Sequence, residues 1–280
     1  MTRGKIKRLK SPMVLQGKGL HTGVESTLRL YPVDELGIWV EKEGKRYNLQ
    51  DLEVDGSARG TALLFPDGKS LKTVEHLLAA LSGLGVWQVA FSVEGPEVPA
   101  MDGSCFPLAK ELSGNVEEIS LEKDLCVDVA FPIWVHDENR KAFVAAFPGE
   151  GFQTSVVVNY GTERGITQAF EYVHSEGAFL EEVAKARTFV LEEEIEFVIS
   201  RGLGLGGSKD NTVVVPLRGP MEGLRYPDEL ARHKTLDLIG DLSLLGSPVR
   251  GIVVSYKGGH ALNVELARRL KRLLVRDNVC

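Results

Sequence analysis

The segment RHKTLDLIGDL, from Arg232 to Leu242, carries the side chains best suited to chemistry. In an α-helix, His233, Asp237 and Asp241 would stand at positions i, i+4 and i+8 and would share one narrow face. The residues between them include leucine and isoleucine, which favour burial of the helix and of its polar stripe. Buried polar groups need partners, and a metal ion is one. The alternative is a surface helix whose histidine and acids face water.

A second candidate pair, Glu75 and His76, lies far upstream in SLKTVEHLLAALSGLG. The apolar spacing of this stretch predicts a helix that ends at the glycines after Ser82. Ser70 and Thr73 are candidate N-caps, because their hydroxyls could accept hydrogen bonds from the first backbone amides. The pair would then lie near the start of a helix.

The two helical segments resemble each other. When HLLAALSGLG from His76 is aligned with DLIGDLSLLG from Asp237, five of the ten positions are identical, and an alternating strand pattern follows each segment. A polar stretch near residues 113–124 separates two halves that both contain strands, a helix, a strand and a helix. We therefore expect an α+β fold of two similar domains, residues 1–120 and 121–280, whose related helices pack together. The alternative is chance similarity between leucine-rich helices.

If the helices pack together, His76, His233 and Asp237 can converge on one point. Two imidazoles and one carboxylate suit zinc, and three protein ligands leave a fourth position for water, as in catalytic zinc sites. Glu75, next to His76, would be placed to take a proton from that water.

His260, in the turn KGGHALN, would follow the second strand of this unit. It could donate a proton to a leaving amine, and Asp241 could hold it cationic and oriented. A base, a metal and an acid together predict an amide hydrolase. The HExxH pattern of many metalloproteases is absent, since Ala80 stands four residues after His76. Salt bridges and solvated side chains remain the alternative.

Composition is that of a globular protein. Hydrophobic residues make up 43% of the 280 positions and charged residues 26%, which excludes a disordered or fibrous chain. The net charge of −6 argues against a general nucleic-acid binder, so we expect no nucleic-acid partner. No apolar run approaches the roughly 18 residues of a membrane span, and no signal segment follows the basic start. We expect a cytoplasmic monomer with no membrane span.

The cysteines do not form a metal or disulfide framework. Cys105, Cys126 and Cys280 are odd in number and widely separated, and no two form a C-x-x-C pair. Any bound metal must therefore be held by histidine and carboxylate.

Seven separated blocks of the chain resemble one known family. They are, in chain order, GKGLHTG, KTVEHLLAALSGLG, PEVPAMDGS, KARTF, RGLGLGGS, GLRY followed by RHKTLDLIGDL, and GGHALN. These motifs closely resemble the zinc-dependent UDP-3-O-acyl-N-acetylglucosamine deacetylases of lipid A biosynthesis. The resemblance implies hydrolysis of the N-acetyl group of UDP-3-O-acyl-N-acetylglucosamine with release of acetate, the committed step of that pathway. It implies Zn²⁺ as the cofactor, with Fe²⁺ as the alternative metal in the cell.

The resemblance also implies roles for individual residues of the reaction centre. Glu75 would be the general base, and Thr188 would donate its hydroxyl to the substrate carbonyl. Asp241 and His260 would be a pair in which the protonated His260 stabilises the oxyanion and releases the amine. The metal ligands implied are His76, His233 and Asp237.

Further residues are implied to bind the substrate. Lys234 would contact the diphosphate, and Phe189 would lie against the sugar and the acyl chain. His21 would be a pocket residue with no assigned chemical step. The segment 195–214 corresponds to an insert that forms an apolar passage for the acyl chain, lined by Ile195, Gly207, Ser208 and Val214.

The family fold implied has two domains, each a sheet with helices on one face, and the helices lie between the two sheets. Residues 158–168 depart from the usual family pattern of an aspartate and a His-Pro pair. Two other functional classes remain alternatives. The first is a small-molecule kinase that uses GLGLGGS as a phosphate loop, which would require a helix directly after the glycines. The second is a non-enzymatic acidic scaffold.

Overall fold

The computed structural model describes residues 4–57 and 59–277, with residues 162, 163 and 273–277 by their backbone only. Cys280 therefore lies outside the described residues. The first half contains β1 (Lys5–Leu9), β2 (Met13–Lys18), β3 (Glu25–Tyr31), β4 (Gly37–Lys42), β5 (Lys45–Asn48), β6 (Glu53–Asp55), β7 (Ala62–Leu64), β8 (Ser70–Leu71), α1 (Glu75–Gly83), β9 (Val86–Glu94), α2 (Phe106–Ser113) and β10 (Val116–Ser120).

The second half begins at β11. It contains β11 (Val127–Asp128), β12 (Ile133–Asp137), β13 (Ala142–Phe147), β14 (Phe152–Asn159), α3 (Gly161–Arg164), β15 (Thr167–Val173), α4 (Glu176–Ala178), β16 (Phe189–Leu191), α5 (Ile195–Ser200), β17 (Val213–Val215), α6 (Glu229–Leu242), β18 (Val249–Tyr256) and α7 (His260–Asp277). Single turns of 3₁₀ or π helix lie at Leu49–Asp51, Phe179–Val183, Glu192–Glu194 and Ser243–Leu245.

Two large mixed sheets share one pattern of pairing. In the first sheet, β9 pairs with β1 and β4 in parallel and with β3 antiparallel, while β2 and β5 extend the two sides. In the second, β18 pairs with β11 and β14 in parallel and with β13 antiparallel, while β12 and β15 extend the two sides. The first sheet also has β10 beside β1. The chain thus has several sheets and few helices, as expected of an α+β fold.

The helices cover one face of each sheet. Buried residues alternate with less buried ones along β3, β14 and β18, whereas β9 is buried on both faces over residues 86–91. Helix α1 packs on β9, α6 packs on β14 and β15, and α7 packs on β12 and β13. Helix α1 packs against α6, so both helices lie between the two sheets. The two helices approach each other closely at Gly240, where an added Cβ would stand 2.1 Å from the carbonyl oxygen of Glu75. A glycine is therefore required at this point for the helices to meet.

The predicted N-caps of the first helix were wrong. Ser70 belongs to β8, and α1 begins at Glu75 with no side-chain cap on its first amides. Thr73 adopts a positive φ of 57°, and its hydroxyl donates instead to the carboxylate of Glu97, 2.7 Å away. The buried Glu97 carboxylate needs hydrogen-bond donors, so the Thr73 hydroxyl bonds to it rather than to the first amides of the helix.

Candidate active site

Three buried side chains meet where α1 and α6 cross. His76 comes from the first turn of α1, and His233 and Asp237 come from successive turns of α6. The Asp237 Oδ1 lies 3.3 Å from His233 Nε2 and 3.8 Å from His76 Nε2. One ligand atom from each residue lies within 4.8 Å of the others. This spacing can accommodate one metal ion in contact with two nitrogens and one oxygen.

The state of these side chains fits a divalent cation. Asp237 is 1% exposed, yet its Oδ1 has no hydrogen-bond partner among the described residues. The imidazole of His233 donates from Nδ1 to the carbonyl oxygen of Ala186 at 3.1 Å, which leaves Nε2 as a lone pair aimed at the cluster. An unpaired buried carboxylate oxygen beside two ring nitrogens is costly without a cation, so the residues fit a metal.

The electrostatics of the three residues also favour the ligand forms. Burial lowers the pKa of His76 to about 3 and also lowers that of His233, so both imidazoles are neutral at pH 7. Burial alone would raise the pKa of Asp237, but the surrounding His233 and Lys234 outweigh it and hold that pKa well below the ordinary range. Neutral imidazoles and a charged carboxylate are the forms that bind metal.

Glu75 lies beside this cluster with its carboxyl group in a buried position, 2% exposed. Its Oε2 accepts a hydrogen bond from the backbone amide of Thr61 at 2.9 Å. Burial raises the pKa of Glu75 to about 7, with further upward contributions from Asp241 and Asp237. A carboxylate whose pKa lies near neutrality can accept and return a proton at physiological pH.

His260 and Asp241 form a second buried pair on the other side of the cluster. His260 begins α7 and donates from Nδ1 to Asp241 Oδ2 at 3.0 Å. Burial opposes the charged imidazole, but Asp241 and Asp237 outweigh it and raise the pKa of His260 to about 9. The carboxylate also accepts from Thr61 Oγ1 at 2.5 Å and from Asn263 Nδ2 at 2.9 Å. His260 is therefore a cationic acid at pH 7, oriented by its bond to Asp241.

These groups open onto one cavity of about 790 Å³. With the exception of Asp241, which lies behind His260, the residues singled out from the sequence line this cavity. They are His21, Glu75, His76, Thr188, Phe189, Ile195, Gly207, Ser208, Val214, His233, Lys234, Asp237 and His260. The structure thus brings together side chains that the sequence spreads over 240 positions, from 21 to 260.

Comparison with known proteins identifies the family. The family model for UDP-3-O-acyl N-acetylglycosamine deacetylase (LpxC) matches residues 7–272. The chain belongs to this family. It is therefore a deacetylase, a hydrolase that acts on an amide, and the family is one of metalloenzymes.

Curated relatives agree over nearly the whole chain. The UDP-3-O-acyl-N-acetylglucosamine deacetylase of Aquifex aeolicus is 39% identical over 98% of this chain and 96% of its own length. Enzymes of the same name from Anaeromyxobacter sp. and Phenylobacterium zucineum are 37% and 36% identical, over 91% and 94% of this chain and 84% and 92% of their own lengths. In the described part of the chain, the helices are too short or too polar to cross a membrane.

One arm of the cavity is apolar. Parallel strands β16 and β17 form one wall, and the short helix α5 forms another. Gly204 and Gly207 lie in the turn between α5 and β17. The apolar side chains of this arm are Phe189, Leu191, Ile195, Val198, Ile199 and Val214.

The glycine-rich stretch does not form a phosphate loop. The chain runs from GLGLGGS through a turn into β17, so a strand rather than a helix follows the glycines. Two of its amides are already engaged, because Leu205 donates to the His21 carbonyl and Gly206 to the Leu20 carbonyl. The kinase alternative is therefore wrong, and the loop instead packs against the turn that carries His21.

Sequence reasoning missed several residues that hold the site. Glu97 is fully buried and accepts hydrogen bonds from the amides of His21 and Thr22 and from the hydroxyls of Thr22 and Thr73. It thereby fixes the turn that carries His21. The only sequence signal was the rigid PEVPAMDGS block around it. Two donors to Asp241 were also missed: Thr61 belongs to none of the motifs, and Asn263 ends the GGHALN block but was given no role.

The cavity lining also includes polar residues that had no predicted role. Four cationic side chains line it in addition to Lys234: Arg59, Arg140, Lys209 and Lys257. In the stretch that departs from the family pattern, Asn159 and Tyr160 reach the cavity. The lining therefore combines several cationic side chains with a group of apolar side chains from β16, α5 and β17.

Proposed function

We propose that this deacetylase hydrolyses the N-acetyl group of UDP-3-O-acyl-N-acetylglucosamine, with release of acetate, in lipid A biosynthesis. The observation that carries the proposal is a cavity lined by three kinds of region: a His-His-Asp cluster, several cationic side chains, and apolar side chains of β16, α5 and β17. A substrate with an amide, a diphosphate and an acyl chain matches these three regions. The names of the relatives support the same substrate.

The proposed cofactor is zinc, held by His76, His233 and Asp237, with Fe²⁺ as the alternative in the cell. A divalent metal bound there would supply Lewis acidity toward the acetyl carbonyl and would lower the pKa of a water molecule. The donor set of two imidazoles and one carboxylate is typical of catalytic zinc.

Glu75 is the proposed general base. Its pKa of about 7 lets it accept a proton from the attacking water, and the Thr61 amide keeps the carboxylate aimed at the cluster. His260, charged at pH 7, is the proposed acid that stabilises the oxyanion and then protonates the leaving amine. Asp241 is proposed to keep His260 charged and oriented. Thr188, on the cavity wall, would donate its hydroxyl to the substrate carbonyl.

The substrate-binding roles follow from the character of the lining. Lys234 would contact the diphosphate, and its ammonium also donates a hydrogen bond to Asp237 Oδ2 at 2.7 Å. Phe189, whose ring lies 5.3 Å from the Lys234 ammonium, would face the sugar and acyl chain. The acyl chain would occupy the arm lined by Ile195, Gly207, Ser208 and Val214, and His21 would close the pocket. Residues 158–161 would add contacts on the same wall.

We also propose that residues 1–120 and 121–280 are two copies of one fold unit. The support is the shared pairing around β9 and β18, together with the ten-residue match between α1 and α6. A cytoplasmic location and a monomeric state stay predictions.

Elemental analysis and an acetate-release assay test the proposal. Purified protein should contain one zinc per chain and release acetate from UDP-3-O-acyl-N-acetylglucosamine. A chelator should abolish turnover, and added zinc should restore it. A metal-free preparation with full activity would contradict the proposal, as would the absence of acetate release from zinc-loaded protein.

Replacement of Glu75 separates the base from the metal ligands. Glu75→Ala should retain zinc and lose about 100-fold or more of the rate, because general-base catalysis typically contributes that much. His76→Ala is the matched control and should lose zinc as well. Normal turnover of Glu75→Ala would remove Glu75 from this role.

A further inference from the structure

Arg187 and Glu229 form a buried ion pair next to the proposed metal ligands. Glu229 is 0% exposed and lies in the first turn of α6. Its Oε1 accepts from Arg187 Nε at 2.9 Å and from the Arg187 amide at 3.0 Å, and its Oε2 accepts from Arg187 Nη2 at 3.2 Å. A two-pronged contact of this kind fixes the direction as well as the distance of both groups.

The residue before Arg187 contacts a proposed metal ligand. The carbonyl of Ala186 accepts the Nδ1 proton of His233, and His233 stands one helical turn after Glu229. Ala186 and Arg187 are therefore bonded to positions i+4 and i of one face of α6, His233 and Glu229 respectively. The ion pair sets where the Ala186 carbonyl lies, because the Arg187 amide is itself one of the donors to Glu229.

The residue after Arg187 is held from the opposite side. Thr188 donates its amide to the carbonyl of Gly103 at 2.8 Å, and its carbonyl accepts from the Val213 amide at 2.8 Å. The segment 186–188 is thus fastened between α6 and a turn of the first half. The ion pair adds a polar contact to α6 beside the ring contact that Phe189, the first residue of β16, makes with His233 at 6.0 Å between ring centroids.

We propose that the Arg187–Glu229 pair is a positioning device for His233. It holds the Ala186 carbonyl against Nδ1, keeps the ring in the Nδ1–H tautomer, and so presents Nε2 to the metal. This inference rests on the proposed metal site for its effect on affinity, but the tautomer is a property of the chain alone. Neither residue touches the cavity, so neither is a catalytic residue.

Glu229→Gln tests the device with little change in size. Glutamine keeps one acceptor but leaves the arginine charge unpaired, so the segment 186–188 should shift. The zinc dissociation constant, measured by competition with a chromophoric chelator, should rise about tenfold, the lower end for groups that support a metal ligand. Arg187→Lys keeps the charge without the planar fork and should show a smaller rise.

The matched control is Arg250→Gln. Arg250 lies at the start of β18 and pairs with Asp128 at 2.8 Å and also with Asp124. It makes no contact with the segment 186–188. It should lower thermal stability and leave zinc affinity unchanged. If Glu229→Gln and Arg187→Lys lose stability but bind zinc as the wild type does, the pair is merely structural and the inference is wrong.

The tautomer is measured without metal. In metal-free protein with ¹⁵N-labelled histidine, the wild-type His233 ring should show a protonated Nδ1 and an unprotonated Nε2, and Glu229→Gln should show a mixture of tautomers. An unchanged pattern in the variant would overturn the inference, whatever the outcome for acetate release. Failure of the wild type to bind zinc would overturn the proposed metal site separately.

Discussion

Removal of a single hydroxyl at Thr61 should weaken the site more than its size suggests. Thr61 is fully buried in the loop before α1, and its Oγ1 donates to Asp241 Oδ1 at 2.5 Å. The two other donors to Asp241, His260 and Asn263, both bond Oδ2. Thr61→Val preserves the shape of the side chain and the backbone amide that bonds Glu75, but leaves Oδ1 without its donor.

The size of the effect follows from this loss. A hydrogen bond to a charged group contributes about 1.5–3 kcal/mol, and a buried carboxylate oxygen left unpaired has no water to replace the donor. The free energy of unfolding should therefore fall by about 1.5–3 kcal/mol. At about 2.1 cal/mol/K of unfolding entropy per residue, a chain of 280 residues should then show a decrease in Tm of roughly 2.5–5 °C.

Urea unfolding and steady-state kinetics measure the two consequences. We expect Thr61→Val to lower the urea midpoint and to lower kcat more than it raises KM, because His260 loses a neighbour that fixes its partner carboxylate. Thr61→Ser, which keeps the hydroxyl, is the control and should retain most of kcat. Equal kcat and equal stability for valine, serine and the wild type would refute the reasoning.

Two further predictions concern packing and acid stability. Gly240→Ala should lower the free energy of unfolding by about 1–3 kcal/mol, because the added Cβ would stand 2.1 Å from the Glu75 carbonyl oxygen. Gly177→Ala is the control, because a Cβ there would meet no atom within 4 Å. Equal urea midpoints for the two variants would contradict the close contact between the helices. Burial alone would raise the pKa of Glu97, but the hydrogen bonds that Glu97 accepts hold that pKa below the ordinary value. The charged Glu97 therefore contributes stability that is present above the unfolded pKa and is lost as pH falls through the folded pKa. Glu97→Gln should therefore flatten the fall in Tm below about pH 4.5, and parallel profiles would contradict this.

Local sequence patterns were enough to predict the helices that carry the site. The spacing of His233, Asp237 and Asp241 fixed which side chains share a face of α6, because helix geometry is local and its period is constant. The apolar residues between them predicted burial, which the structure confirms. Similarity between the two leucine-rich segments indicated that Glu75 and His76 would face this stripe, and in the structure α1 and α6 pack together.

The hydrogen bonds that hold these groups come from parts of the chain that are distant in sequence. Thr61 bonds Asp241 across 180 positions, Ala186 bonds His233 across 47, and Glu97 bonds His21 across 76. None of these partners belongs to a periodic pattern. Each is a loop or turn residue placed by the packing of the sheets and helices around it. Local periodicity can therefore predict which side chains share a helix face, but the hydrogen bonds that orient them depend on chain segments that meet only after the fold has formed.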